Sequence, residues 1–246
     1  MDEVHQFYMR NLTVVVLVAA ILSAASYLNV DAPREMSEAA PGKAEIFVPG
    51  VDQKGKGVIG KFEVEVLPGD GKILTNIDHL LFFVDTQYSM QTARSVAANL
   101  TGLDLSGYNL VYDITSGNGN ATQVIEGPSA GASITIATIA ALQNMSLSGD
   151  VMITGAINRD GTIGKIGGIE SKAKAAKLAG AKVLLVPEGQ GIGEMYKVES
   201  GCEDVKRFKV CRTSYVSEAT IGSTEDGIII KEVGNVTEAL KYFVPQ

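Results

Sequence analysis

The stretch 124-VIEGPSAGASITIATIAALQ-143 places Ser129 directly after Gly-Pro at the start of a small, apolar helix. Proline is favoured in the first turn of a helix, and the N–H groups of that turn have no partner within the helix. Gly127 and Gly131 let a substrate backbone approach closely, because glycine has no side chain to obstruct it. Ser129 is therefore either a helix-capping residue or a nucleophile with backbone donors around it.

A nucleophilic serine needs a base within hydrogen-bond reach, and the chain offers few candidates. It has two histidines. His5 lies near the amino terminus, and His79 falls in 77-IDHLLFFV-84, where no neighbouring residue prepares it for such a role. A neutral lysine is the other base available to a serine, and burial is what makes a lysine neutral.

Such a lysine is predicted in 168-GIESKAKAAKLAG-180. At 100° per residue, Lys172 lies on the side of the small apolar residues Ala176 and Ala179, whereas Lys174 points the opposite way. Burial on the apolar side would lower the pKa of Lys172 towards that of a useful base. The alternative is a lysine that extends its amine along the surface into water.

The remaining periodicity predicts alternating strands and helices and therefore a mixed sheet, in an α/β or α+β fold. The segment 58–76 alternates apolar and polar residues around 68-PGDG-71, which predicts a hairpin. Helices are expected at 86–100 and 235–243, in addition to the two already described. The other expected strands are 108–114, 151–157, 182–187, 207–213 and 227–233.

The motifs 126-EGPSAG-131 and 166-IGGIESK-172 together resemble the proteolytic domain of the Lon proteases, which are serine-lysine dyad peptidases. The resemblance implies that Ser129 is the nucleophile and Lys172 its base. The family's strand threonine is matched by Thr154, which would orient the lysine amine or hold the Ser-Lys geometry; the alternative is an ordinary strand threonine.

Two further motifs, 161-GTIGKIGG-168 and 183-VLLVPEG-189, extend the resemblance over residues 57 to 243. It implies an α/β fold with an α+β mixed sheet, similar to the second domain of ribosomal protein S5. The sequence also departs from the family. Glu126 is typical of archaeal members and 128-PSAG-131 of bacterial ones, and 115-TSGNGNATQV-124 lacks a histidine common in bacterial members.

The resemblance also suggests roles for the residues around the nucleophile. Gly127, Pro128 and Ala130 shape the turn, and the backbone N–H groups of Ser129 and its neighbours would form the oxyanion hole. Glu126 would stabilise the turn or gate it. Neither a metal nor a cofactor is implied.

Lon proteases usually carry an ATPase module, but this chain contains no G-x-x-x-x-G-K-[S/T] motif. We therefore expect an ATP-independent endopeptidase that acts on unfolded or flexible polypeptides. Family members form six-membered rings, so a homo-hexamer is expected, and a separate ATPase partner is left open. Two other readings remain: a catalytically silent scaffold or binding domain on the same fold, and a small-molecule kinase of the related fold.

The amino-terminal part carries an uncharged run, 12-LTVVVLVAAILSAASYL-28. A helix of this length reaches about 25 Å, close to the short end of a membrane span. We expect a tail at 1–11, a single transmembrane anchor at 12–30, a linker at 31–45 and the protease domain at 46–246. A cleaved signal sequence is the alternative to the anchor.

The net charge bears on the kind of partner, and the cysteines and N-x-S/T triplets bear on the cellular compartment. The net charge of −7 argues against a nucleic-acid surface. Cys202 and Cys211 are the only cysteines, and their spacing suits a bridged loop in an oxidising compartment, although two unrelated thiols are the alternative. Five asparagines begin an N-x-S/T triplet: Asn11, Asn99, Asn120, Asn144 and Asn235. These features favour a membrane protein whose protease domain is extracytoplasmic.

Overall fold

Strands and helices alternate along the chain. The computed structural model describes residues 37–38, 42–52, 54–76, 80–82, 84–116, 123–125, 127–191, 193–205, 208–221, 224–225 and 227–244. The helices are α1 (Val84–Thr101), α2 (Gly131–Gln143), α3 (Ile169–Leu178) and α4 (Val236–Phe243), and a 3-10 turn spans Pro128–Ala130. The strands are β1 (Ser37–Glu38), β2 (Gly42–Val51), β3 (Gly57–Pro68), β4 (Ile73–Thr75), β5 (Leu80–Phe82), β6 (Leu103–Asp104), β7 (Tyr108–Ser116), β8 (Gln123–Ile125), β9 (Val151–Ile153), β10 (Ala156–Ile157), β11 (Ile163–Gly164), β12 (Val183–Pro187), β13 (Gly193–Val205), β14 (Phe208–Ile221), β15 (Thr224–Glu225) and β16 (Ile228–Val233).

The first sheet has the order β2-β3-β7-β4 and is built around the alternating residues of β3. That strand pairs antiparallel with β2 on one side and with β7 on the other. Phe62, Val64 and Val66 point to the same face and are fully or almost fully buried, as the period of two predicts.

The second sheet has the order β15-β16-β12-β9. Strand β12 pairs parallel with both β9 and β16, and helix α3 makes the connection from β9 to β12. The fold is therefore a mixed α/β structure, as the sequence predicts. The strand expected at 151–157 is divided into β9 and β10 by Thr154 and Gly155.

Helix α2 is the core of the domain. Every one of its residues except Gln143 is buried, and it packs against α1, β2 and β3. Its polar side chains find partners inside the core: the Thr138 hydroxyl donates to the Ile134 carbonyl and lies 3.0 Å from the Tyr112 hydroxyl. The turn that carries Ser129 is thereby attached to a buried helix.

The hairpin predicted around Pro68 and Gly71 is wrong. Strands β3 and β4 do not pair with each other, because β7 lies between them. The Asn109 side chain accepts hydrogen bonds from the N–H groups of Asp70 and Lys72, and the Gly69 N–H donates to Gly107. The turn is therefore anchored across the end of β7, which sequence periodicity does not reveal.

A long antiparallel hairpin, β13 with β14, follows β12. The sequence predicted only a short strand at 207–213, which overlaps the beginning of β14 at Phe208. Cys202 lies directly opposite Cys211 in the ladder, and opposed Cα atoms of an antiparallel pair are within the range that a disulfide spans. The bridge itself stays a prediction.

The uncharged run 12–28 lies outside the described residues. Among the helices that the structure describes, none is long and apolar enough to cross a membrane. Strand β1 and the start of β2 fall within the segment interpreted as a linker.

Candidate active site

The turn that carries Ser129 begins with Gly127, whose backbone adopts φ 94° and ψ 156°. Residues with a side chain rarely adopt this conformation, so glycine is required here. Pro128 then occupies the first position of the 3-10 turn, and the Gly131 N–H at its end donates to the Pro128 carbonyl. The N–H group of Ser129 lies in the first turn, where backbone donors have no partner within the helix.

The break between β9 and β10 holds this turn in place. The Ser129 carbonyl accepts the Gly155 N–H at 2.9 Å and the Thr154 hydroxyl at 3.2 Å. The Ala132 N–H donates in return to the Gly155 carbonyl, and the Ser133 hydroxyl donates to the Ile153 carbonyl. The backbone of Ser129 is therefore fixed by Thr154 and Gly155, the two residues between β9 and β10.

Lys172 lies on the inner face of α3 and is only 2% exposed. Its Nζ donates to the Thr154 Oγ1 at 3.1 Å. Removal from water disfavours the ammonium form, and burial lowers the pKa of Lys172 from 10.5 to about 7. The predicted burial of this lysine is confirmed. Lys174 lies at the surface and pairs with Glu170 one turn earlier.

Thr154 joins the two candidate catalytic residues. Its hydroxyl accepts from the Lys172 amine and donates to the Ser129 carbonyl. The hydroxyl has one proton, which it donates to the Ser129 carbonyl, so an oxygen lone pair remains to accept from the Lys172 amine. Residues that the sequence separates by 25 and 18 positions thus form one connected group.

Two candidate residues cannot be placed in this group. Glu126 and His79 lie outside the described residues, so the role given to Glu126 and the alternative base at His79 stay predictions.

Sequence reasoning missed Gln190. Its side chain is 3% exposed and makes two hydrogen bonds with the backbone of Ile166, just before α3. The motif considered there, 183–189, ends one residue short of it. Gln190 contacts the backbone of Ile166, and a backbone contact does not restrict which side chain its partner carries. The only signal in the sequence was a polar residue next to a buried strand.

The chain is similar to known proteins over much of its length. The family model of the Lon protease (S16) C-terminal proteolytic domain matches residues 82–213, more than half of the chain. The chain is 25% identical to the archaeal Lon protease of Thermoplasma acidophilum over 195 residues, which are 77% of this chain and 28% of that protein.

Two other relatives are similar over shorter stretches. The archaeal Lon protease of Methanothermobacter thermautotrophicus is 27% identical over 57% of this chain and 21% of its own length. Lon protease 1 of Myxococcus xanthus is 34% identical over 51% of this chain and 15% of its own length.

The chain thus has a mixed α/β fold in which a buried lysine, Lys172, is linked through Thr154 to the turn that carries Ser129. The chain belongs to the family of Lon protease C-terminal proteolytic domains. It spans between about a seventh and a little over a quarter of the length of the three relatives described.

Proposed function

We propose that this protein is a serine endopeptidase that hydrolyses peptide bonds in unfolded or flexible polypeptides, with Ser129 as nucleophile and Lys172 as general base. The observation that carries the proposal is the buried amine of Lys172, which donates to Thr154 while Thr154 donates to the Ser129 carbonyl. A lysine with a pKa of about 7 is largely neutral above that pH and can accept a proton.

The reaction follows from these positions. Neutral Lys172 takes the proton of the Ser129 hydroxyl as the oxygen attacks the scissile carbonyl carbon. The backbone N–H of Ser129, with those of its neighbours, stabilises the oxyanion, and the Lys172 ammonium then protonates the leaving amine. The regenerated neutral lysine activates the water that hydrolyses the acyl-enzyme. Thr154 holds the amine in line with the serine throughout.

The test measures cleavage of a fluorescent, unstructured casein by the full-length chain in mild detergent from pH 6 to 10. Wild type, Ser129→Ala and Lys172→Ala are compared with Lys174→Ala, an exposed lysine on the same helix. Activity in the wild type and Lys174→Ala alone, rising with pH through about 7, supports the dyad.

Other outcomes would change the assignment. Full activity of Lys172→Ala would remove the lysine as base and make His79 the residue to test. If the wild type neither cleaves casein nor reacts with a fluorophosphonate at Ser129, the scaffold alternative is favoured. Nucleotide binding by the wild type would favour the kinase alternative.

We further propose that residues 12–28 anchor the chain in a membrane, that the protease domain is extracytoplasmic, and that it assembles as a homo-hexamer. The uncharged run supports the anchor, and the opposed cysteines and N-x-S/T triplets support the location. The homo-hexamer is proposed from the family resemblance alone. Protease digestion of intact and lysed cells tests the topology, and light scattering of the detergent-solubilised chain tests the assembly.

A further inference from the structure

We propose that Gln190 is a positioning residue that fixes the start of helix α3 and thereby keeps the Lys172 amine in its buried place. This inference rests on the proposed function, because it assigns Gln190 a part in the same site. The side chain is fully enclosed, and both ends of its amide are used. The Ile166 N–H donates to the Gln190 Oε1 at 3.0 Å, and the Gln190 Nε2 donates to the Ile166 carbonyl at 2.8 Å.

The backbone around Ile166 depends on this contact. Ile166 is 2% exposed and lies in no strand or helix, so its peptide groups are buried and need a partner. The Gln190 amide supplies both a donor and an acceptor, as a neighbouring strand would. Losing it would leave two buried polar groups unsatisfied, which a protein avoids by rearranging or by admitting water.

The segment of chain that carries Gln190 is held in place by hydrogen bonds of its own. Residues 187–190 form a turn in which the Gln190 N–H donates to the Pro187 carbonyl and Gly189 adopts φ 75°. The next residue, Gly191, donates its N–H to the Glu232 carboxylate at 2.7 Å. Gln190 therefore connects the end of β12, and through its neighbour β16, to the loop before α3.

That loop sets the position of Lys172. Helix α3 begins after Gly168, which has φ 71° and offers no side-chain cap, and the Lys172 N–H donates to the Gly168 carbonyl in the first helical turn. A helix without a side-chain cap frays most easily in its first turn. Gln190 holds the chain two residues before this unprotected end, so it limits movement of the turn that carries Lys172.

Burial, and not a neighbouring charge, lowers the pKa of Lys172. Helix α3 packs against β2, β3, β12 and β16. The charged groups on α3 are Glu170, Lys174 and Lys177. Those on β2 and β3 are Lys43, Glu45, Lys61, Glu63 and Glu65, and those on β16 are Lys231 and Glu232. Among the described residues none of these shifts the pKa of Lys172, whose lowering comes from burial alone.

A loosened helix start would therefore expose the amine, and its pKa would rise towards the ordinary value. The neutral fraction at a given pH would fall, and activity would require a more alkaline solution. A purely structural role would instead lower the amount of active protein equally at every pH.

The experiment measures the rate at which a fluorophosphonate phosphonylates Ser129, with loss of fluoride, in the full-length chain, from pH 5.5 to 10, by intact mass. For Gln190→Leu we expect the half-maximal pH to rise by about one unit, which is a roughly fivefold lower rate at pH 7 that is recovered at pH 10. The control is Thr138→Val, which removes a buried hydroxyl from the centre of α2. It should lower the melting temperature and leave the half-maximal pH unchanged.

Gln190→Asn keeps the amide on a side chain that is one methylene shorter. It replaces the leucine variant if that variant does not fold, and we expect an intermediate rise of the half-maximal pH. An unchanged half-maximal pH in the variants, with or without a uniformly lower rate, would overturn the inference. If wild-type Ser129 is not phosphonylated at all, the proposed function fails, and that result is distinct from failure of the inference.

Discussion

At the scale of single residues, the buried amine of Lys172 lowers the stability of the folded domain. Its pKa of about 7 in the folded domain is well below the value of 10.5 for an exposed lysine. Between these two pH values the unfolded chain binds the proton and the folded chain does not. Stability therefore rises with pH across this window, and the destabilisation by the buried amine is largest below pH 7.

Replacing the amine by an apolar group of similar length should accordingly stabilise the protein. For Lys172→Met we expect the free energy of unfolding at pH 8 to rise on the order of 3 kcal/mol, and the gain to shrink towards pH 10. Denaturant unfolding of both proteins at the two pH values measures this. Lys174→Met is the matched control and should change stability little, because Lys174 makes an exposed ion pair.

A gain that is absent, or that stays the same at pH 8 and pH 10, would show that the amine is not buried and neutral as described. A lysine charged in the folded state would give no pH dependence in this window, since both states would then bind the proton.

At the scale of elements, the site depends on the close approach of α2 to β10. A Cβ at Gly131 would lie 2.7 Å from the Ile157 Cγ2 and 2.8 Å from the Ile157 backbone nitrogen. Backbone cannot move aside as a flexible side chain can, so α2 would have to shift. The hydrogen bonds from Thr154 and Gly155 to the Ser129 carbonyl join the same two segments of chain, so a shift of α2 would disturb them.

Gly131→Ala should therefore damage catalysis more than an alanine usually does. We expect phosphonylation of Ser129 by the probe to slow about 100-fold, since displacements near 1 Å in an active site have effects of that size. The control is Gly149→Ala, where an added Cβ meets no atom within 4 Å. Both variants are compared by fluorophosphonate labelling and thermal unfolding. Equal labelling rates in the two would contradict the argument.

Local patterns predicted the elements better than their pairing. The 3.6-residue period of α3 correctly put Lys172 inside, because the face of a helix depends only on residues within it. The supposed hairpin at Pro68 failed, because the side chain that fixes that turn, Asn109, is distant in sequence. Within the site, motifs identified Ser129, Lys172 and Thr154, whereas Gln190 acts on backbone and was not found.

At the scale of the whole molecule, one segment imitates part of a nucleotide-binding motif. Gly55, Gly60 and Lys61 have the glycine and lysine spacing of a phosphate-binding loop, but Phe62 stands where that loop has Ser or Thr. Gly60 to Phe62 lie within β3, paired with β7, and not in a loop before a helix. Lys61 pairs with Glu45, and Phe62 is buried in the core. This segment cannot surround a phosphate.

The proposed ATP-independent activity predicts that cleavage depends on how often the substrate itself unfolds. We expect the full-length chain to cleave reduced, carboxymethylated lysozyme and to leave native lysozyme intact, because a stable protein rarely exposes a cleavable segment. Adding magnesium and ATP should change neither rate. Gel densitometry over several hours measures both, with Ser129→Ala as the blank. Faster cleavage of native lysozyme on adding ATP would contradict this, since unfolding would then be driven by a nucleotide site other than the β3 segment.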